Sequence, residues 1–449
     1  MFNNKKSLAF ILTISLIVTL AYAFVYRVHP LVDARAYDQI AMNLVSGNGY
    51  REDADKPILY DMSIVRAGPG YEFFLAGLYA GFGHNYAAVW IAQALLHVLS
   101  AYLIYCIYER IFCKHATPPQ SSSLDKLGTG STGGGDFGAL IAAALFAFWP
   151  DLIEISAMLM TETLYLLFVI LTVYIFVFSF EKPQNRWLAM LFGLVTGLAI
   201  LTRPTVLLFV PIIAFMYFRA KQYHSLMAYS LLLTAVLIPW TARNYGIYGD
   251  IIPTTLLAEF NLWLGNTLVS NGGQISGGYN PLDAYIQLNG ATNLKEHAQL
   301  MFRFFVLEHP LLFLKLCAIR FIRFFSLIRP MGFWFYQSGI KQALFVGSSL
   351  IWIAGVFVAG FTGMALQLKP KHLSTQAPEH YRRVSPLSLY LAALAATAPL
   401  PLILTVVQSR YRFQLYPFLA LFAGYAIACW VTQGKGWSKD RILLKTILF

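Results

Sequence analysis

Charged side chains are what this sequence has least of. Asp, Glu, Lys and Arg make up 12% of its residues, where soluble domains carry about 25%. That deficit excludes an ordinary soluble globule. Cysteine is also scarce: Cys106, Cys113, Cys317 and Cys429 form no Cys-x-x-Cys pair, and no histidine lies at metal-ligand spacing. A disulfide framework and a zinc ligand set are therefore not expected, and the four thiols read as small buried hydrophobes. The run Gly128–Gly135 lacks the Gly-Lys-Ser/Thr ending of a phosphate-binding loop. It reads as a flexible linker. The net charge is +12, but no basic run or stacking motif accompanies it, so nucleic acid is not an expected partner.

What the chain has instead is apolar length. Of its 449 residues 58% are hydrophobic and 16% aromatic, and the mean hydropathy is +0.59. Apolar runs near 20 residues mark an integral membrane protein. Ten spans are expected, at 8–26, 86–109, 137–149, 157–180, 187–202, 204–218, 225–242, 342–366, 387–407 and 413–432. The fold class is all-α and polytopic, with amphipathic juxtamembrane helices in the outer loops.

Orientation follows from short-loop cations. Lys5–Lys6, Arg110, Lys114 and Lys126, Lys182 and Arg186, Arg219 and Lys221, Lys369 to Arg383, and Lys435 to Lys445 all fall on one side, read as cytoplasmic with both termini. Ala21-Tyr-Ala23 imitates a signal-peptide cleavage site. The run from Leu8 to Tyr26 is long enough to span and reads as an uncleaved helix. The expected organisation is a transmembrane domain over 1–432, with outer loops about 27–85 and 243–341, a cytoplasmic linker about 114–137, and a tail over 433–449. Between Pro310 and Arg329, Lys315, Arg320, Arg323 and Ser326 share one side of a helical wheel, and aromatic and aliphatic residues share the other. Four cations are expensive within a bilayer, so this stretch reads as a helix lying at the outer interface.

Asp33 stands just past the first span, where an aqueous and a lipid face are both within reach. On a helix it shares a face with Tyr37, while Asp38 points about 140° away, so the two aspartates do not form one acid–base pair. Helix capping or loop solvation is the alternative for both. Glu162 lies one turn inside the fourth expected span; an ionisable residue at that depth is a functional candidate, with snorkelling to the surface as the alternative. Arg66, Arg203, Arg243, Arg320, Arg410 and Arg412 sit at or near helix ends. There guanidinium groups suit bidentate capture of a lipid phosphate, and interfacial anchoring is the alternative for each.

In order and placement these residues resemble the GT-C class of membrane glycosyltransferases. The similarity is to the family 39 and protein O-mannosyltransferase-like group, which includes the aminoarabinose transferases. It rests on Asp33-x-x-x-Tyr37, Gly47-Asn-Gly-Tyr50, Arg66 with Pro69-Gly-Tyr71, Thr161-Glu162, Leu201-Thr-Arg-Pro204, Pro239-Trp-x-x-Arg243-Asn244, Gly265-Asn266, His309-Pro310 with Arg320, and Arg410-Tyr-Arg412. The resemblance implies transfer of one sugar, with inversion, from a polyprenyl-phosphate donor to an envelope glycan or lipid outside the cytoplasm. Asp33 would be the general base, Glu162 a helper acid, and the six arginines the phosphate cluster. Tyr37, Asp38, Tyr71, Asn244, Asn266 and Tyr411 would line the substrate pocket. Ala34 departs from the Asp-Glu pair of the mannosyltransferase branch. About 17 residues follow the last expected span, so oligosaccharide transfer to protein is not expected. No cofactor or metal is required, though a divalent cation is permitted. The partners are the lipid-linked donor, the acceptor and membrane lipids, and the location is the inner membrane with the site facing the periplasm. The competing classes are a lipid or glycolipid flippase and a protein O-glycosyltransferase.

Overall fold

Long runs of Leu, Ile, Phe, Val and Ala form helices, and prolines mark where several of them begin. A computed structural model describes residues 4–113, 133–273, 281–327, 338–368 and 386–433. Most of the expected linker and nearly all of the tail lie outside the described residues. The helices are α1 Asn4–Tyr26, α2 Asp33–Val45, α3 Pro69–Phe82, α4 Tyr86–Tyr108, α5 Gly133–Ala147, α6 Pro150–Ser156, α7 Glu162–Glu181, α8 Arg186–Thr202 and α9 Val210–Arg219. They continue with α10 Tyr223–Tyr248, α11 Leu257–Gly265, α12 Pro281–Asn289, α13 Leu294–Glu308, α14 Pro310–Phe325, α15 Gly339–Leu368, α16 Pro386–Ala396, α17 Leu400–Leu404 and α18 Tyr416–Gln433. No strand occurs among the described residues.

Every expected apolar run is largely helical, but a count of ten spans does not emerge. Among the described residues, seven helices are long and apolar enough to cross a membrane, or eight if the bent pair α5 and α6 is one span. Two shorter apolar helices, Arg186–Thr202 and Pro204–Arg219, fall below that length. The run expected at 137–149 bends by 52° into α6. The cause is Pro150: the residue before a proline is driven out of the α region, and Trp149 is extended at ψ 115°. The next span starts at Glu162 rather than 157, after a turn.

Close helix packing uses glycine where backbones meet. A side chain at Gly193 or Gly363 would strike a carbonyl oxygen, of Tyr229 on α10 and of Phe422 on α18 respectively. The last span is the most enclosed, with 83% of its apolar window buried. Trp149 stacks on Tyr416 at its start, with ring centroids 3.8 Å apart.

A second, smaller core lies apart from the bundle. Ile64, Val65, Tyr248, Ile252, Leu256, Leu282, Ile286 and Leu294 pack together, joining the two long loops expected on the outer side. Backbone bonds from Leu256 to Ile64 (2.8 Å) and from Ala291 to Leu59 (2.6 Å) tie the loops in register. α14 forms as expected from its wheel, with Leu311, Leu314, Phe321 and Ile322 exposed. Its buried stripe, however, is Leu316, Arg320 and Phe324. Arg320 therefore leaves the polar side assigned to it and enters the protein.

Candidate active site

The site forms where five chain segments meet. Asp33 opens α2, directly after Val32, whose φ of 51° is unusual for a β-branched residue and costs roughly 1–3 kcal/mol. Glu162 opens α7. Arg203 follows the last residue of α8. Arg66 closes a short 3-10 turn before α3, and Arg410 lies in the 3-10 turn Ser409–Leu415 before α18.

Glycine brings two of these ends into contact. A side chain at Gly68 would collide with the Leu201 carbonyl, and one at Gly70 would lie 2.6 Å from the Thr202 hydroxyl. The segment Arg66-Ala-Gly-Pro-Gly70 thus docks its backbone on Leu201-Thr-Arg-Pro204, and both arginines arrive at one place. Asp61 shapes the preceding loop by accepting backbone N–H bonds from Glu52 (3.0 Å), Asp53 (2.8 Å) and Ser63 (2.9 Å). That loop delivers Glu52, whose carboxylate accepts from Arg66 Nε at 3.0 Å.

The result is an alternating set of charges. Arg410 donates to Asp33, and Arg66 Nη1 lies 3.6 Å from the other Asp33 oxygen. Arg203 Nη2 pairs with Glu162 at 3.0 Å, and Arg410 Nε stands 3.9 Å from the same carboxylate. Tyr411 lies beside both cations, its ring centroid 5.5 Å from the Arg203 guanidinium and 5.4 Å from that of Arg410. Tyr165 holds Thr205 (2.8 Å) and Gln414 (2.7 Å), fastening α7 to the segments that bear Arg203 and Arg410. Burial alone would raise the Asp33 carboxyl; the charge and hydrogen bond of Arg410, with Arg66 and Arg203 behind it, outweigh that and hold it below its ordinary value. The Asp33 side chain keeps 25% of its accessibility and Glu162 keeps none. Asp33 can therefore meet a substrate, whereas Glu162 is placed to hold Arg203.

The other expected site residues divide. Tyr37 lies beneath Asp33, its ring edge-on to Tyr71 at 5.7 Å, and Tyr71 donates to Gln93 at 2.8 Å. Asp38 faces away from Asp33. It accepts from Tyr79 (2.6 Å) and Tyr86 (2.7 Å) and meets His84 at 2.9 Å. Arg243 reaches the Tyr50 carbonyl (3.0 Å) and the Asn244 side chain (2.9 Å), stacked over Trp240, and Asn244 donates to the Ile252 carbonyl.

Arg320 and Arg412 are not at the cluster. Arg320 donates to the Asn266 side chain (3.1 Å) and to the carbonyls of Gly265, Ile403 and Leu404. Arg412 donates to Tyr416 (3.0 Å) and the Ser326 carbonyl (2.6 Å). Among the described residues, no group of three or more His, Cys, Asp or Glu could hold a metal ion.

Sequence reasoning missed Glu52 and Glu72. Glu52 lies in a loop with no periodic signal. Glu72 is fully buried on α3, with the Tyr50 hydroxyl nearby but no well-formed hydrogen bond to either oxygen. Burial pushes it up to about 8, so it is protonated at neutral pH. An acidic residue in the first turn after Pro69 reads as ordinary helix-dipole complementarity, which is why it drew no notice.

The arrangement of spans is shared with known proteins. Archaeal oligosaccharyltransferase AglB from Archaeoglobus fulgidus, in complex with an inhibitory peptide and a dolichol-phosphate, superposes with a TM-score of 0.56 at 12% identity. The match covers 100% of this chain and 54% of that one. This chain has the GT-C fold. A second structure of the A. fulgidus enzyme, tethered to an acceptor peptide, gives 0.54 at 13% identity, covering 95% of this chain and 50% of that one. The chain thus spans about half the length of these relatives. ArnT from Cupriavidus metallidurans bound to undecaprenyl phosphate is a more distant match, with a TM-score of 0.40 at 13% identity over 95% of this chain and 77% of that one. The family model for dolichyl-phosphate-mannose-protein mannosyltransferase matches residues 135–242. That segment contains Glu162 and Arg203. No curated protein matches in sequence.

Proposed function

We propose that this GT-C-fold membrane protein is an inverting glycosyltransferase. In this reading it moves a monosaccharide from a polyprenyl-phosphate donor to an envelope glycan or glycolipid on the extracytoplasmic side. The observation that carries the reading is the meeting of Asp33 and Glu162 with Arg66, Arg203 and Arg410 at the ends of helices. A transporter is expected to set its charges near the bilayer midplane, at broken helices.

Asp33, partly accessible, takes the proton from the acceptor hydroxyl as that oxygen attacks the anomeric carbon. The guanidinium groups of Arg66, Arg203 and Arg410 receive the negative charge that grows on the departing phosphate. Glu162 keeps Arg203 aimed at the site. Inversion requires one base on the face opposite the leaving group; of the two partly accessible carboxylates, Asp33 and Glu52, Asp33 is the one that meets both Arg66 and Arg410. The complex of the A. fulgidus oligosaccharyltransferase with a dolichol-phosphate supports the class of lipid carrier.

The test is sugar transfer in reconstituted membranes, with a panel of polyprenyl-phosphate sugars and an envelope-lipid extract. The wild-type protein is expected to move label to a lipid or glycan acceptor, and Asp33→Asn is expected to abolish this while remaining folded. Equal transfer by the variant sinks Asp33 as base.

A further inference from the structure

Arg410 answers to two acids. It donates to Asp33, 377 positions away in sequence, its Nε lies 3.9 Å from Glu162, and the same Nε donates to Gln408 at 2.9 Å. Arg66 and Arg203 are likewise already on carboxylates, those of Glu52 and Glu162. A lipid phosphate entering this cluster gains a guanidinium only by displacing a carboxylate. A sugar phosphodiester carries one negative charge and competes weakly. The phosphate monoester that leaves carries about 1.5 to 2 and competes strongly.

We propose that Arg410 is a shared cation, which passes from Asp33 to the departing phosphate and so couples bond cleavage to proton removal. The inference rests on the glycosyl-transfer reading above. In the step, the acceptor O–H proton goes to Asp33 and the acceptor oxygen bonds to the anomeric carbon. The bond from that carbon to the phosphate oxygen breaks, and its electron pair stays on the phosphate. As the phosphate gains charge it draws Arg410 away, and Asp33, relieved of its cation, becomes a stronger base while it takes the proton. The proton then leaves Asp33 for water or for the phosphate. Arg410 is suited to this because its 3-10 turn precedes α18 instead of lying within it, and because it bridges both acids instead of closing a fork on one.

The test is lipid binding to the full chain in nanodiscs, using undecaprenyl phosphate and its methyl phosphodiester. Asp33→Asn is expected to bind undecaprenyl phosphate about 10-fold more tightly than wild type, about 1.4 kcal/mol, and the diester only about 2-fold more tightly, although it transfers no sugar. Asp33→Ala makes the same charge change, should Asp33→Asn not fold. Asp53→Asn removes an equal charge from the exposed loop and is expected to leave both affinities unchanged. The shared cation is overturned if neither Asp33 variant tightens monoester binding, or if Asp53→Asn tightens it as much. If wild type binds neither lipid, the glycosyl-transfer reading falls as well. If wild type binds both and the Asp33 variants bind no better, only the shared cation falls.

Discussion

Two sets of arginines in this protein have the same sequence signature and different partners. Arg66, Arg203 and Arg410 face carboxylates at the mouth of the bundle. Arg320 and Arg412 are 0% and 1% exposed and donate mainly to backbone carbonyls and to the Asn266 and Tyr416 side chains. A carboxylate partner can be exchanged for a phosphate, because both are anions offering oxygens to a guanidinium fork. A backbone carbonyl cannot be exchanged without unfolding the segment that carries it. The first set is therefore available for chemistry, and the second pins α14 to α11 and to the segment before α18.

The sharpest break in this comparison is at the base. Asp33→Asn is expected to lower transfer by at least 10³-fold, within the 10²–10⁴ range for loss of general base catalysis, with its melting temperature within a few degrees of wild type. A steady-state rate and a thermal melt on one preparation decide it. Arg203→Gln should follow, lowering kcat by about 10²–10³-fold with a small change in melting. If it lowers stability and leaves kcat intact, Arg203 belongs with the second set.

Arg320→Met tests that second set directly. It leaves several buried carbonyls without a donor, at about 1–3 kcal/mol each. The expected loss is folded yield and several degrees of melting temperature, while the surviving fraction keeps near-normal specific activity. A full-stability variant with no activity reverses the assignment.

Glu72 sharpens the contrast between paired and unpaired acids. Its pKa rises from 4.5 unfolded to about 8 folded. The folded state then holds a proton that the unfolded chain releases, so its stabilising contribution is complete below about pH 4.5 and is lost as pH rises toward 8. The slope is about 1.4 kcal/mol per pH unit. Glu72→Gln should flatten the stability profile between pH 5 and 8; an unchanged profile means the carboxyl finds a partner in solution. Asp33, held below its ordinary value, acts in the opposite sense. Its contribution is present above about pH 4 and fades only as pH falls below that.

The smallest expected effect is that of chelation. If guanidinium groups carry the phosphate charge, transfer survives excess EDTA within about 2-fold of the untreated rate, read in the same transfer assay. A loss restored by added Mg²⁺ or Mn²⁺ assigns that charge to a metal.

Much of this was legible in the residues. Apolar runs near 20 residues announced the helices, because a bilayer leaves a backbone few other ways to satisfy its hydrogen bonds. Asp33, Glu162 and all six arginines, Arg66, Arg203, Arg243, Arg320, Arg410 and Arg412, stood out for a related reason, that an ionisable group at a membrane boundary is costly; which of the arginines meet the acids was not legible. The expected span at 137–149 stopped at the residue before Pro150, but the helix that follows it at a 52° turn was not foreseen, since hydropathy does not record direction. Glu52 and Glu72 were silent, one in an aperiodic loop and the other in a helix first turn.

The sequence by itself determined that this is a helical membrane protein, and it marked which charged residues lie at the ends of helices. It did so because hydrophobicity and helix length are local properties, summed along the chain. Only the tertiary structure decided which arginine meets which acid. Arg66 and Arg203 arrive at one place because Gly68 and Gly70 let the start of α3 close on the end of α8, and Tyr165 ties α7, with Glu162, to the segment that bears Arg410. Charge pairing is a matter of distance in space, and a linear pattern carries no such distance until the backbones have packed.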